Sequence, residues 1–195
     1  METTATLDTA IYDFLKADRL LIEGHFAFRS GRHSGALLDR DRLLADPAAA
    51  SRMGYALAKR FFTDHIDTVV APSIWGAGLA QWVAYFLDPK AKVVYATPRD
   101  GLPTIAENLR DLIANRRVLL IDNLIISGET MSRFVGLVED LNADVIGIGT
   151  LWNSSDPSVA GHEVFGLLNT RFAAVPAESC PLCLPGEPSA VAVGY

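Results

Sequence analysis

The chain has 195 residues, of which half are hydrophobic, and its 17 Lys and Arg against 23 Asp and Glu give a net charge of −6. This length and composition are typical of one domain with a full hydrophobic core, and they argue against a disordered chain or a small disulfide-stapled protein. The acidic balance also argues against a nucleic-acid partner, because nucleic-acid binders usually present a concentrated basic face to the phosphates.

The start of the chain gives no sign of export or membrane insertion. The segment that begins at Met1 lacks a basic start followed by an apolar run, and no stretch approaches the ~18 apolar residues that span a bilayer. Two cysteines form no disulfide framework and fit a reducing compartment. We therefore expect a cytoplasmic protein with no membrane partner.

Helices and strands alternate along the middle of the chain. Helical periodicity and capping residues predict helices over 6–20, 47–62, 78–87 and 129–141. Short β-branched runs predict strands over 68–71, 92–95, 118–121 and 144–151. The first three runs are continuously apolar, which is typical of parallel strands covered on both faces. The sequence therefore predicts an α/β domain, with loops and one or two edge strands over 153–195.

The segment from Asp122 to Thr130 carries the most informative chemistry. A buried strand ends in Asp122 and Asn123, and the chain then passes through Ser127 and Gly128 into a helix. Ligands of open parallel sheets bind at the carboxyl ends of the strands. Helix-start N–H groups and two hydroxyls suit a phosphate, and the carboxylate suits a pair of ribose hydroxyls. The simpler interpretation is a solvated turn followed by a serine helix cap.

Residues 118–130 resemble the phosphoribosyl-diphosphate (PRPP) binding motif of type I phosphoribosyltransferases. In that motif an apolar strand is followed by acidic residues, a short stretch with a hydroxyl, then Gly and Thr. Three further segments are similar, in matching order, to the bacterial orotate phosphoribosyltransferases: residues 24–34 to the substrate-hood strand, 71–78 to the diphosphate loop, and 180–188 to a C-terminal signature of one subgroup.

The resemblance implies an α/β, type I phosphoribosyltransferase fold with a mostly parallel central sheet in a single domain, 1–195. The core would span about 46–153, and a small hood about 20–45 and 155–195. The implied reaction transfers ribose 5-phosphate from PRPP to a pyrimidine-type base, in pyrimidine nucleotide biosynthesis, with Mg²⁺ bound to PRPP. A homodimer is also implied, because family sites are completed across a two-fold axis.

Roles for individual residues follow from the same resemblance. The catalytic positions correspond to Asp122, Asn123 and Arg99, and Asp122 is the candidate for direct contact with magnesium. The base-binding positions correspond to Phe28, Arg29 and Asn153. The PRPP and phosphate positions correspond to Ser73, Ile74, Trp75, Gly76, Ile125, Ile126, Ser127, Gly128, Glu129 and Thr130.

Three departures from the family pattern fall on functional positions. Asn123 replaces one of two paired acids, so the motif offers one carboxylate fewer to a metal ion or a developing cation. The catalytic-loop segment, 96–109, contains Arg99 but no lysine, and Glu107 stands where the family places arginines. Asn153 stands where the family carries an orotate-binding arginine. Two alternatives therefore stay open: an impaired member that binds PRPP or a nucleotide in a regulatory role, and a transferase for another base.

A group of arginines flanks the predicted hood strand, namely Arg29, Arg32, Arg40 and Arg42, and it is diluted by neighbouring aspartates. A solvated surface with a few ion pairs is a simpler interpretation of this group than a nucleic-acid site. Arg29 is the exception, because it matches a family position that reaches PRPP and the base.

The two cysteines form a single Cys-x-x-Cys at Cys180 and Cys183. Packing or a tight turn is the simplest interpretation. Two thiolates are also half of a tetrahedral zinc site, which His33, His65 or His162 would have to complete. A redox pair is the third alternative, although a Pro-flanked loop lacks the strand-to-helix context of thioredoxin.

Overall fold

The computed structural model describes residues 3–99, 102–169, 173–183 and 189–194, with side chains from residue 9 onward except at residue 169. The helices are α1 (Thr3–Ala17), α2 (Arg40–Ala45), α3 (Pro47–Ala58), α4 (Ile74–Leu87) and α5 (Glu129–Glu139). The strands are β1 (Leu21–Ala27), β2 (Arg32–Leu38), β3 (Thr68–Ala71), β4 (Lys92–Tyr95), β5 (Thr97–Arg99), β6 (Leu102–Thr104), β7 (Arg117–Ile125), β8 (Asp144–Asn153), β9 (Ser158–Val159), β10 (His162–Asn169), β11 (Val175–Pro176) and β12 (Val191–Ala192).

A six-stranded sheet with the order β4-β3-β7-β8-β10-β9 forms the core. Its strands pair in parallel except for β9, which is antiparallel to β10. Alternate residues of β7 enter different apolar clusters, with Leu119 and Ile121 on one face and Val118 and Leu120 on the other. This arrangement confirms the predicted α/β fold with a mostly parallel sheet covered on both faces.

A second sheet, with the order β11-β2-β1-β12, lies in the part of the chain predicted to be the hood. Its centre is the antiparallel hairpin of β1 and β2, in which Ala27 pairs with His33. The C-terminal strands β11 and β12 flank this hairpin on its two sides. The hood sheet therefore joins residues from both ends of the chain.

The structure differs from the sequence prediction mainly at element ends and near the C-terminus. Strands β3 and β4 have the predicted bounds, whereas β7 continues four residues further, to Ile125, because it stays in register with β8 up to Asn153. Strand β10 lies in the segment that was predicted to contain loops and one or two edge strands. Its apolar residues are interrupted by Gly166, yet it pairs in parallel with β8, so residues 162–169 belong to the core sheet and not to the hood.

The helices also differ from the prediction: α1 covers Thr3–Ala17 instead of 6–20, and α5 ends at Glu139 instead of residue 141. Helix α4 begins at Ile74, not at residue 78, so part of the segment expected to be a diphosphate loop forms a first helical turn. Helix α3 ends at Ala58 and continues as a 3-10 turn over Lys59–Phe61. None of the described helices is long and apolar enough to cross a membrane.

Candidate active site

A cleft of about 390 Å³ lies at the carboxyl end of β7, where the predicted phosphate loop leads into α5. Nine of the residues proposed from the sequence line it: Arg29, Ser73, Asp122, Ile125, Ile126, Ser127, Gly128, Glu129 and Thr130. Ser30, Arg40, Leu124 and Met131 complete the lining. The topology thus brings together the hood, the start of α4 and the phosphate loop. This is expected at the carboxyl edge of a parallel sheet.

Asp122 supplies a carboxylate to this cleft. Its Oδ1 accepts a 2.8 Å hydrogen bond from the backbone N–H of Asn123. Burial raises the pKa of Asp122 to about 6, although the Asn123 N–H and the charge of Arg40 act in the opposite direction. The group is therefore mostly ionised at neutral pH and close to its titration range in mildly acidic solution.

The loop from Ile126 to Gly128 turns the chain from β7 into α5. Gly128 has a φ of +80°, and a Cβ there would lie 3.2 Å from the Val159 side chain. A side chain at this position would be both strained and crowded, which explains the glycine. The N–H groups of the first turn of α5 begin directly after it, beside the Ser127 hydroxyl, and helix starts of this kind favour anions.

The predicted diphosphate segment forms the start of α4. Ser73 lies at the N-cap and lines the cleft, whereas the Ile74 and Trp75 side chains are more than half exposed. Gly76 packs closely against β7: an added Cβ would lie 3.1 Å from the Ile121 carbonyl oxygen and 3.3 Å from Asp122 Oδ1. The absence of a side chain at this position lets the α4 start approach the strand that carries Asp122.

Asn123 lies outside the cleft lining. Its side chain is fully buried and turned toward the start of α4. Its Nδ2 donates a 2.6 Å hydrogen bond to the Trp75 carbonyl, while its Oδ1 has no hydrogen-bond partner among the described residues. Asn123 therefore ties β7 to the start of α4, and its predicted catalytic role stays a prediction.

Arg40 belongs to the cleft, whereas the sequence favoured a solvated surface for its arginine group. It follows β2, lines the cleft, lies over the Trp75 ring at 5.4 Å from the ring centroid, and lowers the pKa of Asp122. Arg32, from the same arginine group, instead donates to the Ala174 carbonyl at 2.8 Å. The one signal in the sequence is that Arg40 directly follows a predicted hood strand. Composition alone does not distinguish an arginine at such a position from an ordinary surface arginine.

Besides Asn123, Ile74, Trp75 and Gly76, three further predicted residues lie outside the cleft lining. Phe28 is buried and packs edge-on against Trp152, with ring centroids 6.1 Å apart. Asn153 is buried at the end of β8, where its Oδ1 accepts hydrogen bonds from the N–H and the hydroxyl of Ser155. Arg99 is exposed on the small β5–β6 hairpin, where it pairs with Leu102. The base-binding and loop roles of these residues stay predictions.

Comparison with known proteins decides the family. The profile of the "Phosphoribosyl transferase domain" family matches residues 39–167, which include the whole of the phosphate loop. The chain belongs to the phosphoribosyltransferase family. The family resemblance predicted from residues 118–130 is thereby confirmed.

Curated relatives of this phosphoribosyltransferase carry a more specific name. This chain is 32% identical over 173 residues to the orotate phosphoribosyltransferase of Thermus thermophilus. The match covers 86% of this chain and 91% of the relative. It is 28% identical over 177 residues to the orotate phosphoribosyltransferase of Chlorobium phaeobacteroides, with 90% of each chain covered. The predicted resemblance to the bacterial orotate branch is confirmed by these relatives.

Solved structures share the fold of this phosphoribosyltransferase. The orotate phosphoribosyltransferase of Mycobacterium tuberculosis in complex with Fe(III) dicitrate matches with a TM-score of 0.62 at 16% identity, covering 84% of this chain and 96% of that one. The same enzyme in complex with PRPP matches with a TM-score of 0.59 at 15% identity, covering 85% and 88%. The type I phosphoribosyltransferase fold predicted from the sequence is confirmed.

Proposed function

We propose that the protein is an orotate phosphoribosyltransferase, which transfers ribose 5-phosphate from PRPP to the ring nitrogen of a pyrimidine base and releases diphosphate. The observation that carries this proposal is the cleft in which Asp122, the 126–130 loop and two arginines converge. The names of the curated relatives support the choice of orotate.

The residues of the cleft divide into parts that suit the parts of PRPP. The loop N–H groups with Ser127 and Thr130 would hold the 5-phosphate, and Asp122 would accept hydrogen bonds from ribose hydroxyls. Arg29 and Arg40 would face the negative charge of the diphosphate. The departing diphosphate must be neutralised as the anomeric carbon gains positive charge, so preorganised cations and dipoles provide the catalysis.

The cleft offers only a small number of side-chain ligands for magnesium among the described residues. Mg²⁺ is commonly held by one or two carboxylates together with substrate phosphates and water. The cleft offers the Asp122 carboxylate and the exposed carboxylate of Glu129, whereas the Asn123 amide is turned toward Trp75. We propose that Asp122 holds Mg²⁺ with PRPP; the bound ion would supply charge neutralisation to the diphosphate.

The test is a direct assay with purified protein, PRPP, Mg²⁺ and orotate, in which orotate consumption is followed together with diphosphate release. Orotate-dependent diphosphate release is expected. Release with another base and none with orotate would favour the transferase of altered specificity. PRPP binding by calorimetry without turnover on any base would instead favour the regulatory binding protein, and no PRPP binding would contradict the proposed site.

The homodimer and the cytoplasmic location also stay proposals. Exposed aromatic side chains on α3 and α4, among them Tyr55 and Tyr85, are the kind of surface that self-association covers. Light scattering of the purified protein would measure the mass directly, and a monomer across the micromolar range would contradict the dimer. Fractionation of the native cells would test the location.

A further inference from the structure

Four potential metal ligands meet in the hood sheet, away from the cleft. They are His25 on β1, His33 on β2, and Cys180 and Cys183 near the C-terminus, and their ligand atoms all lie within 4.8 Å of one another. None of the four lines the cleft at Asp122. We propose that this cluster binds one zinc ion in a closed, tetrahedral site that holds the C-terminal segment to the hood hairpin.

The separations between the four side chains suit a common tetrahedral ion. His25 Nε2 lies 3.1 Å from His33 Nδ1, Cys183 Sγ lies 3.2 Å from His33 Nδ1, and both sulfurs lie 3.5 Å from His25 Nε2. Zinc bonds of about 2.3 Å to sulfur and 2.0–2.1 Å to nitrogen place tetrahedral ligands ~3.3–3.8 Å apart. Two sulfurs and two imidazoles in this geometry are a typical zinc donor set.

The backbone brings each pair of ligands together. Ala27 pairs with His33 across the hairpin, and His25, which lies two residues earlier beside a register shift in β1, meets His33 with ring centroids 5.1 Å apart. Cys180 and Cys183 flank a turn in which the Cys183 N–H donates to the Cys180 carbonyl at 3.2 Å. The hairpin and the turn thus supply two ligands each, and four protein ligands leave no open position for chemistry, which is typical of a structural zinc site.

The site lies where it would fix the turn that reaches the active cleft. The hairpin turn after β1 carries Arg29 and Ser30 to the cleft, while His25 and His33 lie on the strands on either side of that turn. Val175 of β11 pairs with His33, and Arg32 donates to the Ala174 carbonyl. A zinc ion would therefore join a C-terminal segment with little core of its own to the strands that position Arg29.

Sequence reasoning named His33 among the residues that could complete a zinc half-site and did not name His25. The structure leaves the other two candidates elsewhere: His65 is exposed, and His162 lies 3.0 Å from Glu139. The chain has four histidines and two cysteines. Both cysteines and half of the histidines are therefore in the cluster, and His65 provides a natural control.

The experiment measures metal content, which does not depend on transferase activity. Reduced protein is incubated with Zn²⁺, desalted and analysed by mass spectrometry for bound metal; about one zinc per chain is expected for the wild type and for His65→Asn. Cys183→Ser removes one ligand at an exposed position, and we expect zinc affinity to fall at least about 10-fold. Equal zinc retention by Cys183→Ser and wild type would overturn the proposal.

Wild-type measurements guard against a variant that fails to fold. Co²⁺ added to metal-free wild type should give intense thiolate charge-transfer absorption and visible bands of a tetrahedral site, and Zn²⁺ should displace both. A strong chelator should lower the Tm of wild type, and Zn²⁺ should restore it. Wild type that binds no zinc after reduction, or whose cysteines form a disulfide when purified without reductant, would overturn the proposal.

Discussion

Asn123 Nδ2 donates a 2.6 Å hydrogen bond to the Trp75 carbonyl, and this bond connects the strand that carries Asp122 to the first turn of α4. Asn123 is fully buried, so the bond lies in a region of low dielectric where an unpaired group costs more than in water. An amide can donate to a carbonyl, whereas an ionised carboxylate can only accept. The amide at this position of the motif is thus matched to the carbonyl that it meets.

This relationship predicts that Asn123→Asp destabilises the protein. Burial and the nearby Trp75 carbonyl oxygen would both disfavour ionisation of the new carboxyl group. The pKa of this carboxyl group in the folded Asn123→Asp variant would therefore lie above its unfolded value of about 3.9. The unfolding free energy of the variant should therefore fall, relative to wild type, as pH rises above about 4, with a deficit of about 2–4 kcal/mol at pH 8. Urea unfolding at several pH values measures this deficit.

Asn115→Asp is the matched control for that experiment, since Asn115 is exposed and aspartate also tolerates its positive φ. The control should track wild type within about 0.5 kcal/mol across the pH range. A deficit for Asn123→Asp that does not change with pH would contradict the assigned hydrogen bond.

Asp122→Asn should change PRPP affinity and fold stability in opposite directions at pH 8. Because burial raises the pKa of Asp122 to about 6, ionisation of the wild-type carboxyl lowers the stability of the fold as pH rises from about 4 through 6. The variant should be more stable than wild type at pH 8 by about 1–3 kcal/mol and nearly equal to it at pH 4. PRPP affinity at pH 8 should fall about 10-fold or more, since hydrogen bonds to a charged acceptor are lost.

Calorimetry with PRPP and urea unfolding, both at pH 8, measure the two effects, and Asp111→Asn is the control because Asp111 is exposed on the 3-10 turn of Glu107–Leu112. Wild-type PRPP affinity should also weaken as pH drops below about 6, as the carboxyl takes up a proton. Unchanged PRPP affinity in Asp122→Asn would remove Asp122 from the site.

The fold was predictable because the core strands are local patterns. The strands at 68–71 and 92–95 are apolar and β-branched, and their bounds agree with the structure. Strand β10 was not predicted as part of the core sheet, because Gly166 interrupts its apolar residues and its pairing with β8 depends on contacts distant in sequence. The β-propensity of a segment shows that it suits a half-buried sheet surface. Where the strand pairing ends is decided by the partner strand.

The lining of the cleft was predictable where one segment carries it and less so where several segments meet. The loop from Asp122 to Thr130 was identified because strand, glycine and helix start are contiguous. The orientation of Asn123 toward Trp75 and the approach of Arg40 depend on α4 and the hood, which the linear sequence does not place. The same reason explains His25, whose cysteine partners lie more than 150 residues away along the chain.

Arg40→Ala should weaken PRPP binding. Arg40 lines the cleft beside Asp122 and is held over the Trp75 ring, so its charge is positioned before the ligand arrives. We expect the PRPP Kd to rise about 10-fold, in keeping with the loss of one charge-assisted contact. Arg42→Ala is the control, because Arg42 lies on the same helix but is exposed and outside the cleft lining. Equal effects in the two variants would indicate general charge and not a specific contact.

Arg99 tests whether the β5–β6 hairpin takes part in catalysis. In the described structure Arg99 is exposed and outside the cleft, so it contributes only if the hairpin moves toward bound PRPP. A cation that meets the diphosphate only as it departs stabilises the transition state more than the ground state, and its loss lowers kcat more than PRPP affinity.

Arg99→Ala should therefore reduce kcat with orotate about 10-fold or more while the PRPP Kd changes less than about 3-fold. Arg110→Ala, at an exposed position outside the cleft, should leave both quantities close to wild type. Full activity in Arg99→Ala would show that the hairpin arginine has no catalytic role, and it would leave Arg29 and Arg40 as the cations that face the diphosphate.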